Sequence, residues 1–195
     1  MEQAKANDVT SSGLIARPAS SEAARAMGKF TFECYDNEGK LKWTAESKNL
    51  VVNVGLQYMA GTALDGATAR ITAWYIGLTG AGASNQFNAT DTMSSHPAAG
   101  SGGWTEITPY SNANRPAATF AAATTANPSV VTNSASKASY TINSSATIGG
   151  AFLTSDNTKG GTTGTLFSGS DFTGGDRSVV NGDTLQVTYT FSLAA

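Results

Sequence analysis

The chain is predicted to be all-β: a β-sandwich or jelly-roll-like domain with one short α-helix, preceded by an extended N-terminal arm. Three observations carry that expectation. Short segments in which apolar and polar residues alternate run through residues 29–193. Only one segment, about residues 50–64, changes to a helical period. No repeat recurs at a fixed spacing, which argues against a solenoid or propeller.

Residues 1–28 are small, polar and aperiodic, with Leu14 and Ile15 as the only large apolar pair. So little apolar area cannot offset the entropy of ordering, and a flexible arm is expected. Within it, residues 20–27 could form a short helix capped by Ser20 or Ser21, although eight residues are marginal alone. The domain, residues 29–195, opens with a hairpin over 29–44. Phe30, Phe32 and Cys34 share one face, Thr31, Glu33 and Tyr35 the other, and Asn37-Glu38-Gly39 makes the turn before Leu41 and Trp43.

The helix of residues 50–64 places Val52, Leu56, Met59 and Ala63 on one stripe, with Asn49 or Asn53 as cap and Gly66 as stop. Gly55 and Gly61 each oppose it by about 1 kcal/mol. The remaining strands fall within residues 71–193. Residues 71–78 read as a central strand with Trp74, Ile76 and Leu78 on one side and Tyr75 on the other. A long loop follows over 79–103, then short strands at 104–108 and 117–122. In 137–143, Ala138, Tyr140 and Ile142 point inward. In 146–153, Gly149-Gly150 signals a bulge or a close backbone approach. The clearest alternation is Leu185, Val187, Tyr189, Phe191 and Leu193. Asn181-Gly182 before it predicts a hairpin with residues 178–180.

Composition excludes several functions. Of the 26 charged side chains, 14 lie in the first 49 residues, and the formal net charge is −2. No cationic cluster exists to bind a phosphate backbone, so nucleic acid is not an expected partner. No secretory signal is read in residues 1–28, and the longest apolar run is far short of the ~20 residues a membrane span needs. Cytosolic synthesis without a membrane association is expected. The single Cys34 cannot form an internal disulfide.

Each candidate for chemistry has a simpler structural reading. His96 is the only histidine, flanked by Pro and Gly, and cannot build a multi-histidine metal site. Cys34, in phase with Phe30 and Phe32, reads as a small core residue. The GGTTGT of residues 160–165 lacks the Gly-Lys-Ser/Thr ending and following helix of a phosphate loop. Asp156, Asp171, Asp176 and Asp183 fit turns better than a calcium loop. Paired-carboxylate hydrolysis would need two carboxylates held on rigid strands, and only Glu106 and the scattered turn Asp residues are available for it. No catalytic residue, cofactor or metal is expected, and the chain is not expected to be an enzyme. Phe30, Phe32, Trp43, Trp74, Trp104, Tyr189 and Phe191 are expected as core aromatics rather than a sugar platform.

Taken in order, GKFTFECYDNEGKLKW, NLVVNVGLQYM, AWYIGLTG, DTMSSH, GWTEITPY, SASKASYTIN, IGGAFLTS, KGGTTGTLFSG and NGDTLQVTYTFSL resemble small virion structural proteins of tailed bacteriophages. The resemblance covers residues 28–193. It implies a non-enzymatic virion component, a capsid decoration or cement protein sitting at symmetry axes as a homo-oligomer, dimer or trimer. Its partners would be the major capsid protein or other virion proteins. A tail, connector or head-fibre component, or a host-binding adhesin, is the alternative. On that reading Leu14 and Ile15 anchor the arm on a neighbouring subunit, and the charge-poor Ser/Thr/Ala surface faces other proteins.

Overall fold

The computed structural model describes residues 24–82, 86–95 and 104–195. They form two antiparallel sheets packed as a sandwich. The first sheet has the order β2-β1-β11-β6, with β7 also paired to β11. Its strands are β1 (Arg25–Tyr35), β2 (Leu41–Lys48), β6 (Ser129–Thr132), β7 (Ala138–Thr141) and β11 (Thr184–Ala194). The second has the order β3-β9-β8-β4-β5, with β10 also paired to β8. It comprises β3 (Leu50–Val51), β4 (Tyr75–Gly80), β5 (Glu106–Ile107), β8 (Ala146–Thr154), β9 (Leu166–Asp171) and β10 (Arg177–Val179).

The alternation read from the sequence builds the core of the first sheet. Phe30, Phe32 and Cys34 of β1 and Leu185, Val187, Tyr189 and Phe191 of β11 are buried, opposite Ile76, Leu78, Ala151 and Leu153 of the second sheet. Phe30 and Tyr189 are cross-strand partners whose rings lie 4.6 Å apart. Polar straps tie the sheets together. Tyr140 Oη donates to the carbonyl of Ile76 at 2.7 Å, and the Ser47 and Ser170 hydroxyls meet at 2.6 Å.

Strand β1 begins at Arg25, inside the expected arm, because Arg25–Gly28 pair with residues 191–194 of β11. The short helix expected over 20–27 therefore does not form at its second half: a ready ladder of backbone partners outweighs a marginal helix. The expected hairpin is present, its turn held by Asp36, whose carboxylate accepts from the N–H groups of Glu38 and Lys40 at 3.0 and 2.8 Å.

The helix α1 (Asn53–Ala60) continues through a wider turn at Gly61–Asp65 and stops at Gly66, whose φ of 64° is left-handed, as expected. Its face differs from the expected stripe. Val52 and Gly55 are buried and Tyr58 and Met59 half-buried, whereas Leu56 and Ala63 are exposed. Neither Asn49 nor Asn53 caps it; Val52 stands at the cap with no side-chain bond. Gly55 explains the rotation. A β-carbon there would lie 2.2 Å from the carbonyl oxygen of Phe167, so the helix rests directly on the backbone of β9.

Three further expectations are corrected. The central strand runs over Tyr75–Gly80, because residues 71–74 leave the sheet, and Ala118 N–H bonds to the Trp74 carbonyl. Residues 117–122 form no named strand, only an isolated bridge from Ala117 to Tyr75. Most informative is β10, which pairs with β8 of the second sheet rather than with β11. The Asn181-Gly182 turn, with Gly182 at φ 93°, carries the chain from one sheet to the other. The dipeptide supplies a left-handed residue; it does not dictate which strands pair. The Gly149-Gly150 signal holds. The pairing of β4 with β8 shifts register there, and a β-carbon on Gly150 would lie 1.9 Å from the Ser170 carbonyl oxygen.

Candidate interaction surface

The residues weighed for chemistry serve the fold. Cys34 is buried, and burial followed by the Asp183 charge pushes its thiol up to about 12. Asp183 accepts from Lys42 Nζ at 2.5 Å and from the Val180 N–H at 2.8 Å. Asp156 accepts from the Thr158 N–H and the Thr163 hydroxyl, both at 2.7 Å, and so braces the loop containing residues 160–165. Asp171 accepts from the Phe87 N–H at 3.2 Å. Burial raises its carboxyl to about 6 against the pull of that bond, with Asp176 and Asp91 adding repulsion. Among the described residues, no three His, Cys, Asp or Glu side chains converge as a metal site would require. His96, Leu14 and Ile15 lie outside the described residues.

Glu106 belongs to a buried ion pair that sequence reasoning missed. Arg115 grips it in a fork, Nε to Oε1 at 2.9 Å and Nη2 to Oε2 at 2.7 Å, with both side chains fully buried. Two further donors of Arg115 reach the carbonyls of Asp156 and Gly161, each at 2.8 Å, and Gly160 N–H donates to Glu106. Its guanidinium also lies 5.2 Å from the centre of the Phe152 ring. The available signal was that Arg115 is the sole charge between Glu106 and Lys137.

Of the expected core aromatics, Phe30, Phe32, Trp104, Tyr189 and Phe191 are buried, while Trp43 and Trp74 are half-buried at the margin. Trp43 donates its indole N–H to the Ser178 carbonyl at 3.0 Å. Trp104 lies on the far side of the second sheet, in a smaller core with Val52, Met93, Phe152 and Leu166.

Two surfaces remain. The outer face of the first sheet is a hydroxyl field: Thr184, Thr188, Thr190 and Ser192 of β11 stand beside Thr31 of β1 and Ser139 and Thr141 of β7. Thr132 and Thr190 hydroxyls meet there at 3.0 Å, and two ion pairs cross it, Lys29 with Glu46 at 2.8 Å and Lys137 with Glu33. The second surface is an apolar cleft of about 350 Å³ lined by residues of both sheets and of the helical segment. Trp74, Phe120, Val131, Phe167, Phe191 and Leu193 line it, and Met59 and Thr62 of the helical segment form one wall.

No protein-family model, curated protein or solved structure matches this chain.

Proposed function

We propose that the protein is a non-enzymatic structural component of a phage virion, a decoration or cement protein that binds the assembled head. The observation that carries this reading is the outer face of the first sheet. It is rich in Thr and Ser hydroxyls, and two of its lysines are paired with glutamates, Lys29 with Glu46 and Lys137 with Glu33. A hydroxyl-rich centre with charges toward its margin suits a polar-rimmed interface. A homo-oligomer, dimer or trimer, placed on the major capsid protein or another virion protein, would bury that face, and the N-terminal arm would add contacts beyond it.

The alternative roles are a tail, connector or head-fibre component and a host-binding adhesin. An adhesin would need aromatic side chains presented in an open groove. Half-exposed Trp74 in the apolar cleft favours it, and the complete burial of Trp104 counts against it.

Quantitative mass spectrometry of purified particles tests the proposal. Copies on the order of hundreds per particle are expected for decoration, and about six or twelve would indicate a tail or connector position. Absence from particles would overturn it. A truncation that tests the arm should remove residues 2–23 and leave Arg25–Met27, since these are part of β1.

A further inference from the structure

We infer that the apolar cleft is a binding site for a small amphipathic anion, a carboxylate carried on an aliphatic or aromatic body. The body enters between the helical segment and the sandwich, and the carboxylate meets Arg70 and Tyr58. This does not depend on the virion reading and concerns the isolated molecule.

The cleft has two built walls. Trp74, Phe120, Phe167 and Phe191 line it on the sandwich side, and Met59 and Thr62 on the helical side. Its rings brace one another. Trp74 meets Tyr58 at 5.5 Å and Phe167 at 5.4 Å, both edge to face, and Phe167 meets Phe191 at 5.4 Å in the same manner. Rings wedged together in this way do not readily collapse into the space beside them. The wide turn at Gly61–Asp65 contributes only the small side chains of Thr62 and Ala63 to the opposite wall, which keeps the space open. None of the residues lining the cleft is charged. Its volume of about 350 Å³ is about twice the roughly 150 Å³ of an apolar cavity that takes up benzene, room for a body of about ten carbons.

What adjoins the cleft sets the class of ligand. A second cavity of about 580 Å³ shares Tyr58, Thr62, Trp74, Phe120 and Val131 with it. Among the described residues, Arg70 is the only charged one lining that second cavity, and its guanidinium has no hydrogen-bond or ion-pair partner. The N–H of Ile71 donates to Tyr58 Oη at 2.9 Å, which holds the phenol hydroxyl beside the backbone that carries Arg70. Because Tyr58 Oη accepts there, its own proton remains to be donated, and it has no acceptor among the described residues. The one acidic residue of the helical segment, Asp65, lines neither cavity, and its carboxylate accepts from the N–H groups of Ala67 and Thr68 at 2.9 and 2.8 Å. An apolar slot that opens onto an unpaired guanidinium and a free O–H donor suits an apolar body with an anionic head. A cationic ligand would be repelled by Arg70, and a plain hydrocarbon would leave both donors unused.

Titration of the full-length chain with sodium decanoate and with 1-decanol, followed by tryptophan fluorescence and calorimetry, tests the inference. Decanoate should bind saturably at one site per chain, and the uncharged alcohol about five- to tenfold more weakly. Thr62→Trp places a large side chain at an exposed position on the cleft wall and should abolish binding of both while leaving the circular dichroism spectrum unchanged. Arg70→Gln should weaken decanoate about five- to tenfold and leave decanol as it is. Arg70 is exposed and its side chain bonds to no described residue, so this second variant does not put folding at risk. Absence of saturable decanoate binding would overturn the inference, as would wild-type binding by Thr62→Trp. Equal affinity of Arg70→Gln and wild type for decanoate would overturn the assignment of an anionic ligand.

Discussion

The two sheets are covered by different means. In the first, β11 alternates half-buried and buried residues along nearly its whole length, with the core on one side and hydroxyls on the other. In the second, β4, β8 and β9 are buried almost continuously, because the main core lies on one face and the smaller Trp104–Phe152 core on the other. An antiparallel sheet that is wet on one face records its orientation as a period of two. A sheet enclosed on both faces has no such period and shows how closely its neighbours approach. Phe152 and Phe87 lie so close over Gly77 and Gly169 that a β-carbon on either glycine would fall 2.1–2.3 Å from a ring atom.

If the second sheet is the enclosed one, perturbing its cover should cost far more than perturbing the outer face of the first. Arg115→Met leaves Glu106 buried without its cation and should destabilise by about 3–5 kcal/mol. Thr190→Ala on the hydroxyl face should change stability by no more than about 0.5 kcal/mol. Urea unfolding of the two variants makes the comparison, and similar midpoints would erase the contrast between the sheets.

Gly55→Ala sharpens it further, because two principles predict opposite signs. Helix propensity alone promises a gain of about 1 kcal/mol. Contact with the Phe167 carbonyl predicts a loss of about 1–3 kcal/mol through overpacking against β9. A raised thermal midpoint would show that the helix does not sit on the strand backbone.

A pH-dependent effect falls at Asp171, the last residue of β9. Its carboxyl is raised from 3.8 to about 6, so between those values the folded state holds more protons than the unfolded one. Stability therefore falls as pH rises through that window, and the deficit persists above it. Asp171→Asn should remove this dependence, matching wild type below about pH 4 and melting higher at pH 8. Thermal melts across the pH range that show parallel curves for the two proteins would refute it.

How much was legible in the sequence follows the same division. Strands β1, β2, β7 and β11 were readable because their outer faces meet water, and β1 ran past its expected start only because pairing with β11 continues there. The strands β6 and β9 were not anticipated. In LFSGSD and SVVT no strict alternation marks a face, and their assignment depends on partners far along the chain. The helix face was misread because Gly55 looked like a defect, when it is the point of closest approach. Arg115 went unnoticed because a lone charge carries no periodic signal, and its partner Glu106 was weighed only for catalysis. The cleft was invisible for a related reason: Leu193 reads as a core residue, and nothing local says that it stays exposed at the cleft.

The crossing at Asn181-Gly182 has a consequence for how the molecule comes together. Strand β11 is the partner of β1, β6 and β7 alike, and the Cys34–Asp183 contact joins residues 149 positions apart. During synthesis, the β1–β2 hairpin therefore waits for most of the remaining chain with one edge open and Phe30 and Phe32 uncovered. Closure of so long a loop is slow, and an open edge can meanwhile recruit strands from other chains. Yield on refolding should accordingly fall with protein concentration, as the hairpin's wait for β11 becomes a race against its neighbours.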